Sequence, residues 1–402
     1  MKKIRQYVKI IFVSLIFFVY LGEYYLTFVV FEKGEMNKAN LNKKIEIYKK
    51  ETGKDFDTRK KVEIYNQEFA YNNNISVTVD PFFKTNQDFF YLSGISNSKT
   101  INCNENGFYS TYNSDRYGFN NNDGVWDLKD YEYALVGDSF VLGSCVDYSD
   151  NISYNLKTLT NQSVINLGYV GNGPLTQYAT LVEYLPKKTK NILWFYYEDN
   201  DLHDLRSELQ HKKLNKYLSH QNTFANLKAQ QELIDHFHRT KIEERLISIE
   251  NSEKYWNEYY SNKKFLLRFL RLNNFKRLVG NFVSKKNRKE KKENEIIFKK
   301  FKEILNLTKE LAFENDSNLY FVYLGSYYRY NNSIFSKINY EEEYNKVINI
   351  VNELGIPIID THKDFFIKQK NPLNFFPFES YGHYNAKGYK KISEVIYNKI
   401  KN

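Results

Sequence analysis

Five short, nearly unbroken apolar runs set the strongest limit on what this chain can fold into: residues 133–136, 164–167, 192–197, 319–324 and 356–359. A strand with one wet face alternates apolar and polar residues, whereas a strand covered on both faces does not. Near-continuous runs separated by helical stretches therefore predict an α/β fold with a parallel sheet and helices on both sides of it. In such sheets ligands bind beyond the carboxyl ends of the strands, so the residues that follow each run are where chemistry is expected.

Four blocks stand out. Gly137-Asp138-Ser139-Phe140 follows the first run directly, so Ser139 projects from a strand end. If a helix starts there, the Ser139 backbone N–H points toward a bound group and can help hold an oxyanion. Asn166-Leu167-Gly168-Tyr169-Val170-Gly171 closes the second run, and its glycines let backbone N–H groups approach a ligand. Glu198-Asp199-Asn200-Asp201 follows the third run. Gly382-His383-Tyr384-Asn385 precedes a C-terminal helical stretch that Asn385 is suited to cap, and His383 is suited to take a proton from a serine hydroxyl. Taken singly, each block also reads as an ordinary polar turn.

In this order the blocks resemble those of the SGNH (GDSL-type) hydrolase family, over residues 131–205 and 318–400. The resemblance implies a flavodoxin-like doubly wound parallel sheet. It also implies Ser139 as nucleophile, His383 as general base, Gly171 and Asn200 as oxyanion donors with the Ser139 N–H, and Asp138 and Asp201 near the site. No cofactor is implied. The chain departs from the family pattern twice: Glu198 stands where Gly is usual, and Ser380 stands where an Asp commonly lies three residues before the His. Either another carboxylate, such as Glu379 or Asp360, orients the imidazole, or a Ser–His dyad works with backbone help. The implied activity is hydrolysis of acyl esters, acetyl foremost, through an acyl-enzyme. The substrate implied by anchored relatives is an acylated envelope carbohydrate, or else another small ester. A polysaccharide O-acyltransferase is the alternative. A degenerate glycan-binding or assembly protein is a second, motivated by Ser380 and Glu198.

The rest of the chain sets the context. Lys2, Lys3, Arg5 and Lys9 precede an apolar run over residues 10–21, and a second run covers 24–31 after Glu23. A spanning helix needs roughly 20 apolar residues and a signal-peptide core about 7–15. No small-x-small cleavage site follows, so residues 1–31 read as an uncleaved signal anchor with its N-terminus cytoplasmic and the body periplasmic or extracellular. A cleaved signal peptide and a buried helix are the competing readings. Residues 32–130 read as a stalk and an irregular, β-containing cap, with β-like runs at 75–79 and 89–92. Residues 131–402 read as the α/β domain, carrying a helical insertion at about 206–315. Within that insertion, residues 265–283 read as a packed helix or as a membrane-surface or partner-binding one, and 285–293 as a solvated charge run.

The formal net charge is +10, but the cations are dispersed and no nucleic-acid motif accompanies them. Cys103 and Cys145 are the only cysteines, which excludes a disulfide framework and a cysteine-rich metal site. An exported body admits one disulfide between them. His236 and His238 are two apart, unlike a metal pair at i, i+4. His203, His211 and His220 sit in the polar insertion, His362 reads as a loop cap, and no metal site is read from them.

Overall fold

A computed structural model of the chain describes residues 2–27, 37–81, 90–219, 225–259, 262–284, 288–331 and 334–401. Packing divides the chain into two units, Met1–Thr52 with Ile249–Glu295, and Gly53–Ser248 with Ile296–Asn402. The division falls at Thr52 and Gly53, inside the span read as stalk and cap.

The second unit is built on five parallel strands: β4 (Tyr131–Val136), β5 (Val164–Asn166), β6 (Thr189–Tyr197), β7 (Asn318–Leu324) and β8 (Ile358–Asp360). Their spatial order is β5-β4-β6-β7-β8, the flavodoxin-like order in which the first strand sits between the second and third. All five expected runs are strands; the last begins two residues later than expected, after Pro357.

The apolar runs are continuous because both faces are covered. Ala134, Val136, Trp194, Tyr196, Phe321 and Tyr323 lie in one buried cluster, and Tyr133, Leu135, Leu193, Phe195, Val322 and Leu324 in the other. Helices Pro174–Tyr184, Arg288–Glu314 and Ile334–Glu353 cover the first face, through Leu175, Ile304 and Val347 among others. Helices Ile152–Thr160 and Ala386–Ile400 cover the second, through Leu156, Ile392 and Ile396.

Ahead of this sheet lies a small one of three strands, β1 (Ile75–Val77), β2 (Lys99–Ile101) and β3 (Thr111–Asn113). β1 and β2 run parallel, and β2 and β3 antiparallel. Its apolar residues Ile75, Val77 and Ile101 pack with Ile64, and with Ile242 and Leu246 from helix Gln231–Tyr259. Part of the insertion thus closes the core of the cap. Phe90, Tyr91 and Leu92, from the second β-like run, are buried against the main sheet without forming a strand, and residue 89 lies outside the described residues, as do 285–287 of the expected charge run.

The carboxyl ends of β6 and β7 are tied by a buried ion pair. Glu198, just past β6, meets Arg329 at 2.6 Å and accepts from Ser326 N at 2.5 Å and from the Tyr323 hydroxyl. Burial pushes the Glu198 carboxyl above its ordinary range, against the Arg329 charge that favours ionisation. Removing one partner of such a pair leaves an uncompensated buried charge, which costs about 3–5 kcal/mol. Arg329→Met should therefore lower the unfolding free energy by about that amount in urea titration, and Glu198→Gln added to it should recover most of the loss. Two single losses that simply add would contradict the pairing.

Candidate active site

β4 runs straight into the serine. Asp138 caps a one-turn helix, Ser139–Leu142, its carboxylate accepting from Phe140 N at 2.8 Å, and Gly143 ends the turn in the left-handed conformation. This sharp strand-to-helix change puts Ser139 at the carboxyl edge of the sheet. The loop after β5 is sewn to the same turn: Tyr169 N donates to Gly137 O at 3.2 Å and Asn166 Nδ2 to Val141 O at 2.7 Å. The polar stretch before β4 adds two braces. Asn120 Nδ2 donates to Leu142 O, and Asn121 exchanges hydrogen bonds with the Asn166 backbone.

His383 faces the serine, its Nε2 lying 2.8 Å from Ser139 Oγ. On the far side of the ring, Nδ1 lies 3.1 Å from Glu105 Oε1 and 3.2 Å from Oε2, and the His383 backbone N–H donates to Glu105 Oε2 at 2.6 Å. Glu105 thus holds both the ring and the loop that carries it. A Cβ at Gly382 would lie 2.5 Å from Glu105 Oε2, so a larger residue there would displace the carboxylate. Nδ1–H donating to Glu105 leaves Nε2 as acceptor for the Ser139 hydroxyl. Burial works against the imidazolium, but the Glu105 charge and hydrogen bond outweigh it, and the His383 pKa lies above its ordinary value.

Neither expected acid touches His383. Glu379 accepts from Asn371 Nδ2 at 2.8 Å, and Asp360 accepts from the Tyr344 hydroxyl and caps the short helix Thr361–Asp364. Ser380 Oγ turns to Phe378 O. Their nearness in sequence to His383 or to a strand end was the signal followed, and it pointed to the wrong carboxylates.

Glu105 comes instead from the cap, in the loop between β2 and β3. Three ties bring that loop to the turn after Ser139: a Cys103–Cys145 disulfide, Asn102 Nδ2 to Ser144 Oγ at 3.3 Å, and Asn106 Nδ2 to Cys145 O at 2.9 Å. The only sequence signal for Glu105 was its place two residues after Cys103. The Cys145 sulfur also lies 3.7 Å from His383 Nδ1. Both thiols are consumed in the disulfide, so this group of three offers no thiolate to a metal.

Asn200 Nδ2 reaches Asp138 Oδ2 at 3.4 Å, and Asn200 Oδ1 is buried without a hydrogen-bond partner. Gly171 sits in the left-handed region at φ 71°, where a Cβ would meet the Asp80 carboxylate at 2.3 Å. Asp201 is buried and accepts from Tyr197 N and Gln177 Nε2, both at 3.3 Å. Burial raises the pKa of Asp138 and raises that of Asp201 further, with the Asp138 charge adding to the latter. The other described histidines lie elsewhere: buried His238 contacts Ser93 O and is pushed down to about 3, His211 accepts from Leu214 N, and His362, lowered to about 4 by burial, meets the Tyr330 hydroxyl. His220 is outside the described residues.

No family model matches the chain, and no curated protein matches it in sequence. Two solved structures share its general course. One is a protein from Desulfitobacterium hafniense DCB-2 assigned to the lipolytic G-D-S-L family, at 10% identity and TM-score 0.36; the other is an acetyl xylan esterase, AlAXEase, at 11% and 0.37. Each match covers 67% of this chain and 99% of the other. At those scores the likeness carries no weight beside the geometry of the site.

The disulfide closes a loop over a sequence separation of 42. In the chain-entropy treatment a closure of that length contributes about 4 kcal/mol. Replacing both cysteines by serine should lower the unfolding free energy by about that much and loosen the 102–110 loop, read by urea titration together with amide exchange of that loop. Unchanged exchange at 102–110 would show that the loop is held without the bond.

Proposed function

We propose that this chain is a membrane-anchored serine esterase of the SGNH type, facing the periplasm or cell exterior and cleaving acyl esters, acetyl foremost, on envelope carbohydrate. The observation that carries the reading is the unbroken contact from Ser139 Oγ through both nitrogens of His383 to the Glu105 carboxylate.

In this reading His383 Nε2 takes the Ser139 proton as Oγ bonds to the ester carbonyl carbon. The carbonyl electron pair moves onto oxygen, where the Ser139 and Gly171 N–H groups and the Asn200 amide stabilise it. The C–O bond to the alcohol then breaks, and His383 returns the proton to the departing alkoxide. Water enters with His383 again as base, releasing the acid and restoring Ser139. Glu105 keeps the imidazole in the tautomer that has a free Nε2 and favours the imidazolium that forms. If a sugar hydroxyl replaces water, the same steps transfer the acyl group, which is the acyltransferase alternative. The degenerate alternative was motivated by Ser380 and Glu198, and a carboxylate in contact with His383 counts against it.

A half-exposed aromatic residue supports a carbohydrate substrate. Tyr381, two residues before His383, is 50% exposed and stacks on Tyr328 with ring centres 4.9 Å apart, offering a flat apolar surface on the segment that carries the histidine. The anchor reading rests on helix Lys2–Tyr25, which is long and apolar enough to cross a bilayer and whose most apolar stretch is unburied within the protein.

The test is hydrolysis of p-nitrophenyl acetate and an acetylated oligosaccharide across pH. Ser139→Ala should abolish turnover. Because His383 must be neutral to act as base, rate should rise with pH through its pKa. Glu105→Gln removes the charge that raises that pKa, so it should shift the acid limb to lower pH and reduce kcat by as much as about 10⁴-fold through the wrong tautomer. An unshifted limb with wild-type kcat would overturn the role of Glu105, and turnover by Ser139→Ala the reading itself.

A further inference from the structure

Glu23, the acid that interrupts the N-terminal apolar run, has no exposed surface within its unit. Its Oε1 accepts from Asn274 N at 3.0 Å and its Oε2 from Phe275 N at 2.7 Å, the first amides of helix Asn273–Ser284. A carboxylate on a helix N-terminus satisfies N–H groups that lack intrahelical partners and meets the positive end of the helix dipole. Two further contacts fix the same corner. Asn274 Nδ2 donates to Thr27 Oγ1 at 2.8 Å, and the Tyr20 hydroxyl donates to Leu270 O at 3.0 Å, at the end of helix Asn262–Leu270, with the Tyr20 and Phe269 rings 5.8 Å apart.

These two short helices are thus latched to the last turns of Lys2–Tyr25, at the end opposite its basic N-terminal residues. Both are amphipathic. In the first, Leu266 and Leu270 are 57% and 53% exposed and repeat at a spacing of four, while Lys264, Arg268 and Arg271 fall on the opposite side. In the second, Val279 is 44% exposed, and Lys276 and Arg277 are exposed beside it. Phe17, Phe18 and Leu21 of the long helix, around Tyr20, are exposed as well.

We propose that helices Asn262–Leu270 and Asn273–Ser284 lie in the headgroup–acyl boundary of an anionic bilayer, as a foot latched by Glu23 to the spanning helix. The proposal rests on the reading of Lys2–Tyr25 as a membrane span. The bilayer is the fitting occupant because the two helices carrying these apolar faces are tied to the C-terminal, interfacial end of the proposed span. Their flanking cations match headgroup phosphates. The latch also gives a buried carboxylate its function in an otherwise apolar segment: at the interface its charge is held by two amides rather than left to hydrocarbon.

The experiment uses the full chain in vesicles of phosphatidylethanolamine and phosphatidylglycerol. Both native cysteines are disulfide-bonded, so a cysteine placed at Leu266, Leu270 or Val279 takes an environment-sensitive fluorophore selectively. Lipids carrying a nitroxide high or low on the acyl chain report depth, with a label at Phe12→Cys as the marker of the span. The expected result is blue-shifted emission at 266, 270 and 279, quenched best by the shallow nitroxide, with Phe12 quenched best by the deep one. Glu23→Ala should abolish the shallow quenching and leave Phe12 unchanged. If Phe12 is quenched while the three labels stay aqueous, the foot is wrong and the anchor stands. Labels that are shielded but unquenched would mean a protein covers these faces, which overturns the proposal. An unquenched Phe12 would remove the anchor and the foot with it.

Discussion

The charge-assisted contact between Glu105 and His383 is what the candidate site depends on, because a histidine opposite a serine is only useful in one tautomer and one orientation. Here that contact is made across more than half the chain: the acid lies in a cap loop ahead of the sheet, and the base lies just before the C-terminal helix Ala386–Ile400. The disulfide explains how so distant a carboxylate is delivered. It joins the residue two places before Glu105 to the segment just past the Ser139 turn, so Ser139 and Glu105 share one covalent frame while His383 closes onto both. In the proposed mechanism the cap is thereby part of the chemistry.

Around this relay the protein buries several carboxylates, each handled differently. Glu198 is paired with Arg329. Glu208 accepts from Leu175 N and from the amide and hydroxyl of Thr176, at the start of helix Pro174–Tyr184, and burial still pushes it up to about 7. Asp204 is raised to about 8, by burial first and then by the charges of Glu208 and Asp138. Asp138 and Asp201 face the same conflict beside the serine. Like charges in a low-dielectric region resist joint ionisation, and Asp138 nonetheless keeps its cap on the Ser139 turn.

Much of the α/β unit was legible in the sequence for a physical reason: strands covered on both faces, such as β6 from Ile192 to Tyr197, cannot alternate and so stand out as unbroken runs. The four blocks were legible because each follows a strand end or precedes the final helix. Glu105 was not. It occupies a loop with no periodicity, and its role arises from a tertiary contact that local spacing cannot encode; Glu379, four residues before His383, attracted attention only through chain proximity. Glu198, read as a departure from a glycine pattern, is half of a buried ion pair whose partner lies 131 residues away. Glu23 likewise read as a flaw in an apolar segment until the Asn274 and Phe275 amides placed it.

The central claim is that Ser139 is activated by a Glu105-backed histidine. The most direct measurement is intact mass after reaction with a fluorophosphonate, comparing the full chain with Ser139→Ala. A single adduct on the wild type, mapped to Ser139 and missing from the variant, is the predicted result. A folded wild-type protein that takes no adduct, or one whose adduct survives Ser139→Ala, would contradict the account.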